Sequence, residues 1–187
     1  LYQGHGSLRL TTAAGTVVYI DPFMGDGYDV PADLVLVTHQ HYDHRSIDKM
    51  PHAPGCVVWQ NMDAHPSHGT YLRKRFGDVT VEATEAYNDM HPIDDCVGYL
   101  VETDGLLLYF AGDTSTTDQM KTLAARSIDY AFLPGDGMVH LRGYANGDLT
   151  LRGTTDQPML NGHVVGDSAY VTLPRYGAEL KLSEDSI

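Results

Sequence analysis

The sequence has few cysteines, no long apolar run and little positive charge, and each shortage excludes a class of protein. Two cysteines in 187 residues, Cys56 and Cys96, are too few for a disulfide scaffold or a cysteine-based zinc site. We expect both to be buried free cysteines, packed as small hydrophobic residues, in a reducing compartment. No apolar run approaches the roughly 20 residues that cross a bilayer, and the basic and apolar pattern of a signal peptide is not visible in the given sequence. We therefore expect a cytoplasmic protein without a membrane partner.

Positive charge is scarce, because 12 lysines and arginines stand against 25 aspartates and glutamates, giving a formal net charge of -13. A surface this acidic repels phosphate backbones, which argues against nucleic acid as a partner. Bound divalent cations would offset part of the negative charge. Ten histidines are available as ligands for such ions, and their placement is the most informative feature of the sequence.

Short apolar runs that end in glycine, aspartate or proline predict a strand-rich α/β protein, and 187 residues suit a single domain over 1–187. The predicted strands are residues 8–10, 16–20, 34–37, 56–59, 79–83, 98–102, 106–111, 130–133, 169–173 and 178–182. Helices are predicted at residues 67–76 and 117–125. No helical pattern is recognisable in residues 142–161.

A dense group of potential metal ligands follows the predicted buried strand at residues 34–37. Three histidines and an aspartate occur within six residues: His39, His41, Asp43 and His44. Neutral imidazole and carboxylate are the ligands that zinc and similar ions take. His39 and His41 can converge on one ion from an extended turn, and the adjacent Asp43 and His44 can serve a second. Because α/β proteins place their sites at strand ends, we interpret this segment as a metal site rather than a solvated loop.

The pattern His39-x-His41-x-Asp43-His44 resembles the signature of the metallo-β-lactamase superfamily, and further motifs follow in the expected order. The resemblance implies an αββα four-layer sandwich with a metal site at one edge of two packed sheets. Motifs in residues 4–7, 98–99 and 111–115 are similar to those of a compact prokaryotic branch, the ascorbate-phosphate lactonase-like hydrolases. The part of the chain after Gly137 is expected to be atypical.

The resemblance assigns ligands to a first metal ion. It implies that His39, His41 and His91 bind this ion. Asp113 follows the strand at residues 106–111 and is implied to bridge the first ion to a second. Gly112 lets the backbone approach closely at this point.

A second ion is implied to bind Asp43 and His44, together with a histidine nearer the C-terminus. His163 stands at about the expected interval after Gly137, and His140 is the alternative. If neither contributes, the second site is incomplete. Asp21 is implied to lie behind the ligands, where it would orient an imidazole ring.

The remaining histidines are interpreted as ordinary surface or turn residues. His52 is expected at the surface, and His65 and His68 in a solvated turn, although their spacing would also suit one helix face. His5, in a glycine-rich turn near the start, is interpreted as a turn residue, with a position lining the pocket as the alternative.

Two divalent cations can activate a bridging water, and the resulting hydroxide would attack a carbonyl or phosphoryl centre. We therefore predict a metallo-hydrolase with one or two zinc ions, manganese or iron(II) being the alternatives. Asp43 and Asp113 are the predicted catalytic carboxylates, and Asp43 is the one expected to take up a proton during turnover. The sequence contains no Gly-x-Ser-x-Gly elbow that would indicate a serine nucleophile.

The expected substrate is a small ester, lactone, amide or phosphoester, and a homo-oligomer is compatible with the sequence. A phosphodiesterase or nuclease of the same superfamily is one alternative, although few basic residues lie near the motifs. A non-catalytic metal-binding protein on this fold is another, because the region after Gly137 departs from the family pattern.

Overall fold

A computed structural model of the chain describes residues 1–133, apart from the side chain of Ala124, and the backbone of five strands between residues 140 and 182. The chain divides into two units, Leu1–Ala131 and Phe132–Ile187. The organisation of residues 1–187 as a single domain stays a prediction.

The first unit begins with a five-stranded sheet. Its strands are β1 (Tyr2–Gly4), β2 (Ser7–Thr11), β3 (Val17–Ile20), β4 (Ala32–Val37) and β5 (His52–Gln60), which lie side by side in that order. The first three strands pair antiparallel, whereas β3, β4 and β5 pair parallel. Apart from Asp33, every residue of β4 is buried, which explains why its sequence is continuously aliphatic rather than alternating.

A second five-stranded sheet follows. Its strands are β6 (Arg73–Phe76), β7 (Val79–Glu85), β8 (Val97–Thr103), β9 (Leu106–Phe110) and β10 (Tyr130–Phe132), and they lie in the order β10-β9-β8-β7-β6. The predicted hairpin between β8 and β9 is confirmed, because Thr103 pairs with Leu106 across a two-residue turn. Both turn residues, Asp104 and Gly105, have positive φ, as the favoured type I′ turn requires.

The two sheets face each other through residues of β4, β5 and β8. The fully buried Tyr99 donates its hydroxyl hydrogen to the carbonyl of Val37 at 2.9 Å. Its ring centroid lies 5.7 Å from that of Trp59, which in turn lies 5.4 Å from Phe76. Since side chains alternate across a strand, Leu34 and Leu36 share the inner face of β4, opposite Val35 and Val37.

The helical segments of the described residues are short. These are α1 (Asn61–Ala64), α2 (Met120–Leu123) and single 3-10 turns at Ile47–Lys49 and Ala124–Arg126. Ile47 and Met50 pack on the outer face of the first sheet, and Met120 and Leu123 pack on that of the second. The αββα layering is thus confirmed, with helical layers reduced to single turns in the described residues. Among these residues, no helix has the length and hydrophobicity needed to span a bilayer.

One predicted helix is wrong and the other is too long. Residues 67–76 contain β6 instead of a helix, because Arg73–Phe76 pairs along its whole length with β7. Phe76 also packs on Trp59, so that pairing and burial override the local helical pattern. The helix predicted at 117–125 is limited to α2 and the 3-10 turn after it, and Thr117 accepts a hydrogen bond from the Met120 amide.

The second unit contains only strands among its described residues. They are β11 (His140–Arg142), β12 (Asn146–Thr154), β13 (Gln157–Val165), β14 (Ala169–Leu173) and β15 (Ala178–Leu182). The last two confirm the predicted strand pair with the same bounds. His163 lies on β13 opposite Asp148, and His140 lies on β11 opposite Thr172. The side chains of both histidines lie outside the described residues, so their roles as ligands stay predictions.

Replacing Tyr99 by phenylalanine should weaken the contact between the sheets. The change removes one buried hydrogen bond to Val37, and we expect the free energy of unfolding to fall by about 1–2 kcal/mol. Urea denaturation measures the loss, with Tyr42→Phe as the control because Tyr42 is 74% exposed. If Tyr99→Phe and the control unfold alike, the hydroxyl does not connect the sheets.

Candidate metal centre

The candidate site lies at the edge where both sheets end. Asp21 follows β3, His39 follows β4, and Asp113 follows β9. The two sheets are joined at this edge because the Val97 amide donates to the Thr38 carbonyl at 2.9 Å. Residues distant in sequence therefore converge, as expected for sites at strand ends.

Three histidines form the first group of potential ligands. The ligand atoms of His39, His41 and His91 lie within 4.8 Å of one another. Nδ1 of His41 is 3.1 Å from Nε2 of His91. Two nitrogens bound tetrahedrally to one zinc ion at about 2.0–2.1 Å would be separated by about 3.3 Å. The spacing therefore suits a shared cation.

Hydrogen bonds on the far side of the rings determine which nitrogen faces the site. His91 Nδ1 lies 2.8 Å from Asn88 Oδ1, an acceptor, so this nitrogen carries the proton and Nε2 keeps its lone pair. His39 Nδ1 lies 3.0 Å from Thr38 Oγ1, whose own hydrogen is donated to Asp21. Thr38 therefore accepts from His39, which leaves Nε2 of His39 free to bind a metal.

Asp21 organises the ligands from behind. It is 3% exposed, and its Oδ1 accepts the Thr38 amide hydrogen at 2.8 Å. Its Oδ2 accepts from the Thr38 hydroxyl at 2.7 Å and lies 3.0 Å from His44 Nδ1. Its backbone is held in turn, because the Ser7 hydroxyl donates to the Asp21 carbonyl. This single carboxylate therefore orients one histidine directly and another through Thr38.

The second group of potential ligands surrounds His44. The ligand atoms of His39, His44 and Asp113 lie within 4.8 Å of one another. Asp113 Oδ2 is 3.5 Å from His44 Nε2 and 3.9 Å from His91 Nε2, which places this carboxylate between the two groups. Asp43 approaches from the exposed side and groups with His44 and His5.

Two buried ring nitrogens indicate whether the site fits a metal ion. Nε2 of His39 and Nε2 of His44 are buried and have no hydrogen-bond partner among the described residues. A buried polar atom without a partner costs about 1–3 kcal/mol, so native proteins rarely leave one unexplained. Both nitrogens face the carboxylate of Asp113, and a cation between them would satisfy both. The donor set fits a divalent ion that accepts nitrogen and oxygen ligands.

The two buried histidines of the metal-free cluster, His39 and His44, have pKa values shifted in opposite directions. Burial lowers the pKa of His39 to about 3, and the charge of His44 adds to this effect. Burial alone would also lower the pKa of His44, but interactions with Asp113 and Asp21 outweigh burial and raise that pKa to about 10. Burial raises the pKa of Asp113, but His44 outweighs this and brings the pKa to about 2. A proton thus occupies the His44 side of the site until a cation displaces it.

A glycine allows the Asp113 loop to lie against the first sheet. Gly112 has φ of +65°, and a Cβ at this position would lie 2.7 Å from the Val97 carbonyl oxygen and 3.1 Å from Thr38 Cβ. Any side chain at residue 112 would therefore move Asp113 away from the cluster.

The structure brings together every predicted site residue whose side chain it describes: His39, His41, Asp43, His44, His91 and Asp113, with Asp21 behind them. Their roles as metal ligands and catalytic groups stay predictions. Sequence reasoning missed Thr38 and Asn88, which position His39 and His91. Their only signal was proximity, Thr38 being adjacent to His39 and Asn88 three residues before His91.

The interpretation of His65 and His68 as residues of a solvated turn is wrong for His65, which is buried, and both histidines contact the region of the site. His65 Nε2 and His68 Nδ1 lie 3.1 Å and 2.8 Å from the same Asp94 oxygen. His65 is buried and stacks on Tyr71, whereas His68 is exposed. Asp94 lies three residues after His91, so these contacts hold the loop that carries a potential ligand.

Comparisons with known proteins agree with this geometry. Residues 1–151 match the family model described as a Beta-lactamase superfamily domain. A metal-dependent hydrolase from Lysinibacillus sphaericus is 31% identical over 162 residues, covering 71% of this chain and 70% of the relative. Another, from a Geobacillus species, is 32% identical over 163 residues and covers 71% of each protein. The chain belongs to the metallo-β-lactamase superfamily.

Solved structures support the superfamily fold. A protein of Parabacteroides distasonis classed as a metal-dependent hydrolase has a TM-score of 0.61 at 31% identity, covering 72% of this chain and 68% of that one. A Thermotoga maritima protein classed as a zinc-dependent hydrolase of the metallo-β-lactamase superfamily has a TM-score of 0.50 at 19% identity, covering 72% and 59%. The latter shows the fold alone. The predicted superfamily and fold are confirmed, whereas the resemblance to the lactonase-like branch stays a prediction.

Replacing Asp21 by asparagine should weaken metal binding without removing any ligand. The amide would present a donor to one of the groups that now donate to the carboxylate, so His44 or Thr38 would lose its orientation. We expect metal affinity to fall by about 10–100-fold, measured by competition with a chromophoric chelator. The exposed Asp29 gives the control variant Asp29→Asn, and equal affinities in the two variants would contradict the role of Asp21.

The metal-free protein should lose stability as the pH rises. Because the folded-state pKa of His44 is raised to about 10, its stabilising contribution is complete below about 6.5 and disappears as the pH rises through about 10. Urea unfolding in the presence of EDTA measures the free energy of unfolding at pH 6, 8 and 10. The difference in this free energy between the wild type and His44→Gln should become smaller as the pH rises. A difference that stays constant would mean that His44 is not protonated in the folded chain.

Proposed function

We propose that the chain is a metal-dependent hydrolase that binds two divalent cations and cleaves a small ester, lactone, amide or phosphoester. The observation that carries the proposal is a pair of buried nitrogens, His39 Nε2 and His44 Nε2, that have no hydrogen-bond partner among the described residues and lie beside the Asp113 carboxylate in the ligand cluster. Such a cluster is costly to bury unless a cation satisfies it. The metal-dependent hydrolases to which the chain is similar support the same activity.

The potential ligands would divide between two ions. His39, His41 and His91 would hold one, and Asp43 and His44 the other, with Asp113 between them. When bound, two such cations lower the pKa of a water molecule between them toward neutrality and polarise the oxygen of the substrate. Zinc is the ion we expect, and manganese or iron(II) would also accept these nitrogen and oxygen donors.

The described residues around the site support water, rather than a side chain, as the nucleophile. Cys96 is the nearest thiol to the cluster, but burial raises its pKa far above the ordinary value, so it is not a thiolate. The Thr38 hydroxyl already donates to Asp21, and the Ser7 hydroxyl donates to the Asp21 carbonyl. Neither hydroxyl is available for attack.

Two carboxylates of the site are open to solvent, Asp113 with a side chain that is 34% exposed and Asp43, to which we assign the exchange of a proton. The side chain of Asp43 is 25% exposed, whereas that of Asp21 is 4% exposed and fully engaged in hydrogen bonds. A carboxylate at the mouth can take a proton from the nucleophile and pass it to the leaving group. Asp113 would mainly orient the reacting groups, because it lies between the two groups of ligands.

The surroundings of the cluster favour a small substrate with an apolar part. Phe23 and Tyr42 meet edge to face with ring centroids 5.6 Å apart, and Tyr42 is 74% exposed beside the ligands His41 and Asp43. The nearby amino group of Lys49 is engaged by the backbone carbonyls of Phe23 and Gly25. Together with the net charge of -13, this supports a neutral or weakly charged substrate over a nucleic acid.

Metal removal and a panel of substrates test the proposal. We expect EDTA-treated protein to be inactive, and zinc or manganese to restore hydrolysis of a p-nitrophenyl ester, a lactone or bis-p-nitrophenyl phosphate. Asp113→Asn should lower kcat/KM by about 100-fold or more, because the neutral amide cannot bind a cation as a carboxylate does. Asp118→Asn is the matched control, since it makes the same substitution at a carboxylate that is 92% exposed and pairs with Lys121 instead. Activity that survives chelation would contradict the proposal, and metal binding without turnover of any compound would favour a non-catalytic role.

A further inference from the structure

The turn between β1 and β2 places a histidine where the backbone prefers glycine. Gly4 pairs with Ser7, so His5 and Gly6 form the two-residue turn. His5 has φ of +54°, a left-handed conformation that residues with a Cβ rarely adopt. Glycine is the favoured residue at the first central position of such a turn. Strained residues of this kind concentrate at functional sites, so the side chain of His5 is a candidate for a functional role.

The same turn packs directly on His44. A Cβ at Gly6 would lie 3.1 Å from His44 Cε1 and 3.4 Å from His44 Nδ1, so there is no room for a larger residue without moving the ring. The ring centroid of His5 is 5.1 Å from that of His44. The turn therefore covers the buried ring of His44.

The imidazole of His5 lies beside two of the potential metal ligands, Asp43 and His44. The ligand atoms of His5, Asp43 and His44 lie within 4.8 Å of one another. His5 Nε2 is 3.5 Å from Asp43 Oδ2, close to the separation of about 3.3 Å expected for two ligands on one zinc ion. His44 Nδ1 is engaged by Asp21, so the atom it offers to this group is Nε2, which also lies 3.5 Å from Asp113 Oδ2. The donors of His5, Asp43 and His44 thus lie close together, and Asp113 adjoins them through its contact with His44.

We propose that His5 is a ligand of the second metal ion, completing the site formed by Asp43, His44 and Asp113. This inference rests on the proposed two-metal function and adds to it a ligand from the first turn of the chain. Four nitrogen and oxygen donors satisfy the coordination that zinc commonly takes. The site would then be complete within residues 1–133, whether or not His163 contributes.

The backbone conformation of His5 provides a variant that separates ligation from folding. His5→Gly removes the imidazole and places the preferred residue at φ of +54°. We therefore expect metal-free His5→Gly to unfold at a Tm equal to or above that of the wild type. His52→Ala is the matched control, because it also removes one histidine but at an exposed position whose Nε2 contacts the Ile47 carbonyl.

The experiment measures metal equivalents and affinities with zinc, by chelator competition and elemental analysis, and the visible spectrum with cobalt(II). We expect two equivalents in the wild type and in His52→Ala. In His5→Gly the first equivalent should bind normally, and the second should bind at least about 100-fold more weakly, since lost outer contacts alone cost about 10–100-fold. The cobalt spectrum of the second site should change only in this variant.

Two results would contradict the account at different levels. Two equivalents of unchanged affinity and spectrum in His5→Gly would overturn the role of His5 and leave the two-metal proposal intact. A wild type that binds fewer than two equivalents would overturn the two-metal proposal itself, and with it this inference.

Discussion

The candidate site depends on one buried carboxylate. Asp21 accepts hydrogen bonds from the Thr38 amide and hydroxyl, and its Oδ2 lies 3.0 Å from His44 Nδ1. These contacts determine which nitrogen of His44, and through Thr38 which nitrogen of His39, has no hydrogen-bond partner in the described part of the chain. A buried charge is stable only when such contacts compensate for its lost hydration. The fold provides the position, because β3 and β4 are parallel neighbours that end at the same edge.

The sandwich explains how ligands from distant parts of the chain reach this edge. Tyr99 and Trp59 hold the two sheets face to face, and the Val97 amide joins them beside Thr38. His39 therefore follows a strand of one sheet, while Asp113 follows a strand of the other. The helical layers are short in the described residues, so the strands and their loops, rather than long helices, position the site.

The sequence allowed much of this to be predicted, for identifiable physical reasons. The continuous aliphatic run of β4 could be recognised because it is buried on both faces, and Asp104-Gly105 because its turn needs positive φ. The segment at residues 67–76 was assigned wrongly, since its strand is stabilised by pairing with β7 and by Trp59, which local sequence does not reveal. Contacts such as that of Asp94 with His65 depend on the tertiary fold and could not be predicted from spacing alone.

The central claim is that imidazoles and carboxylates of this cluster bind a pair of divalent cations. X-ray absorption spectroscopy of the zinc-loaded protein tests it most directly. The account predicts nitrogen and oxygen neighbours at about 2.0–2.1 Å with the multiple scattering typical of imidazole, and a metal-metal distance of about 3.5–4 Å. Sulfur neighbours, or a shell without imidazole, would contradict it, because the metal would then be bound elsewhere.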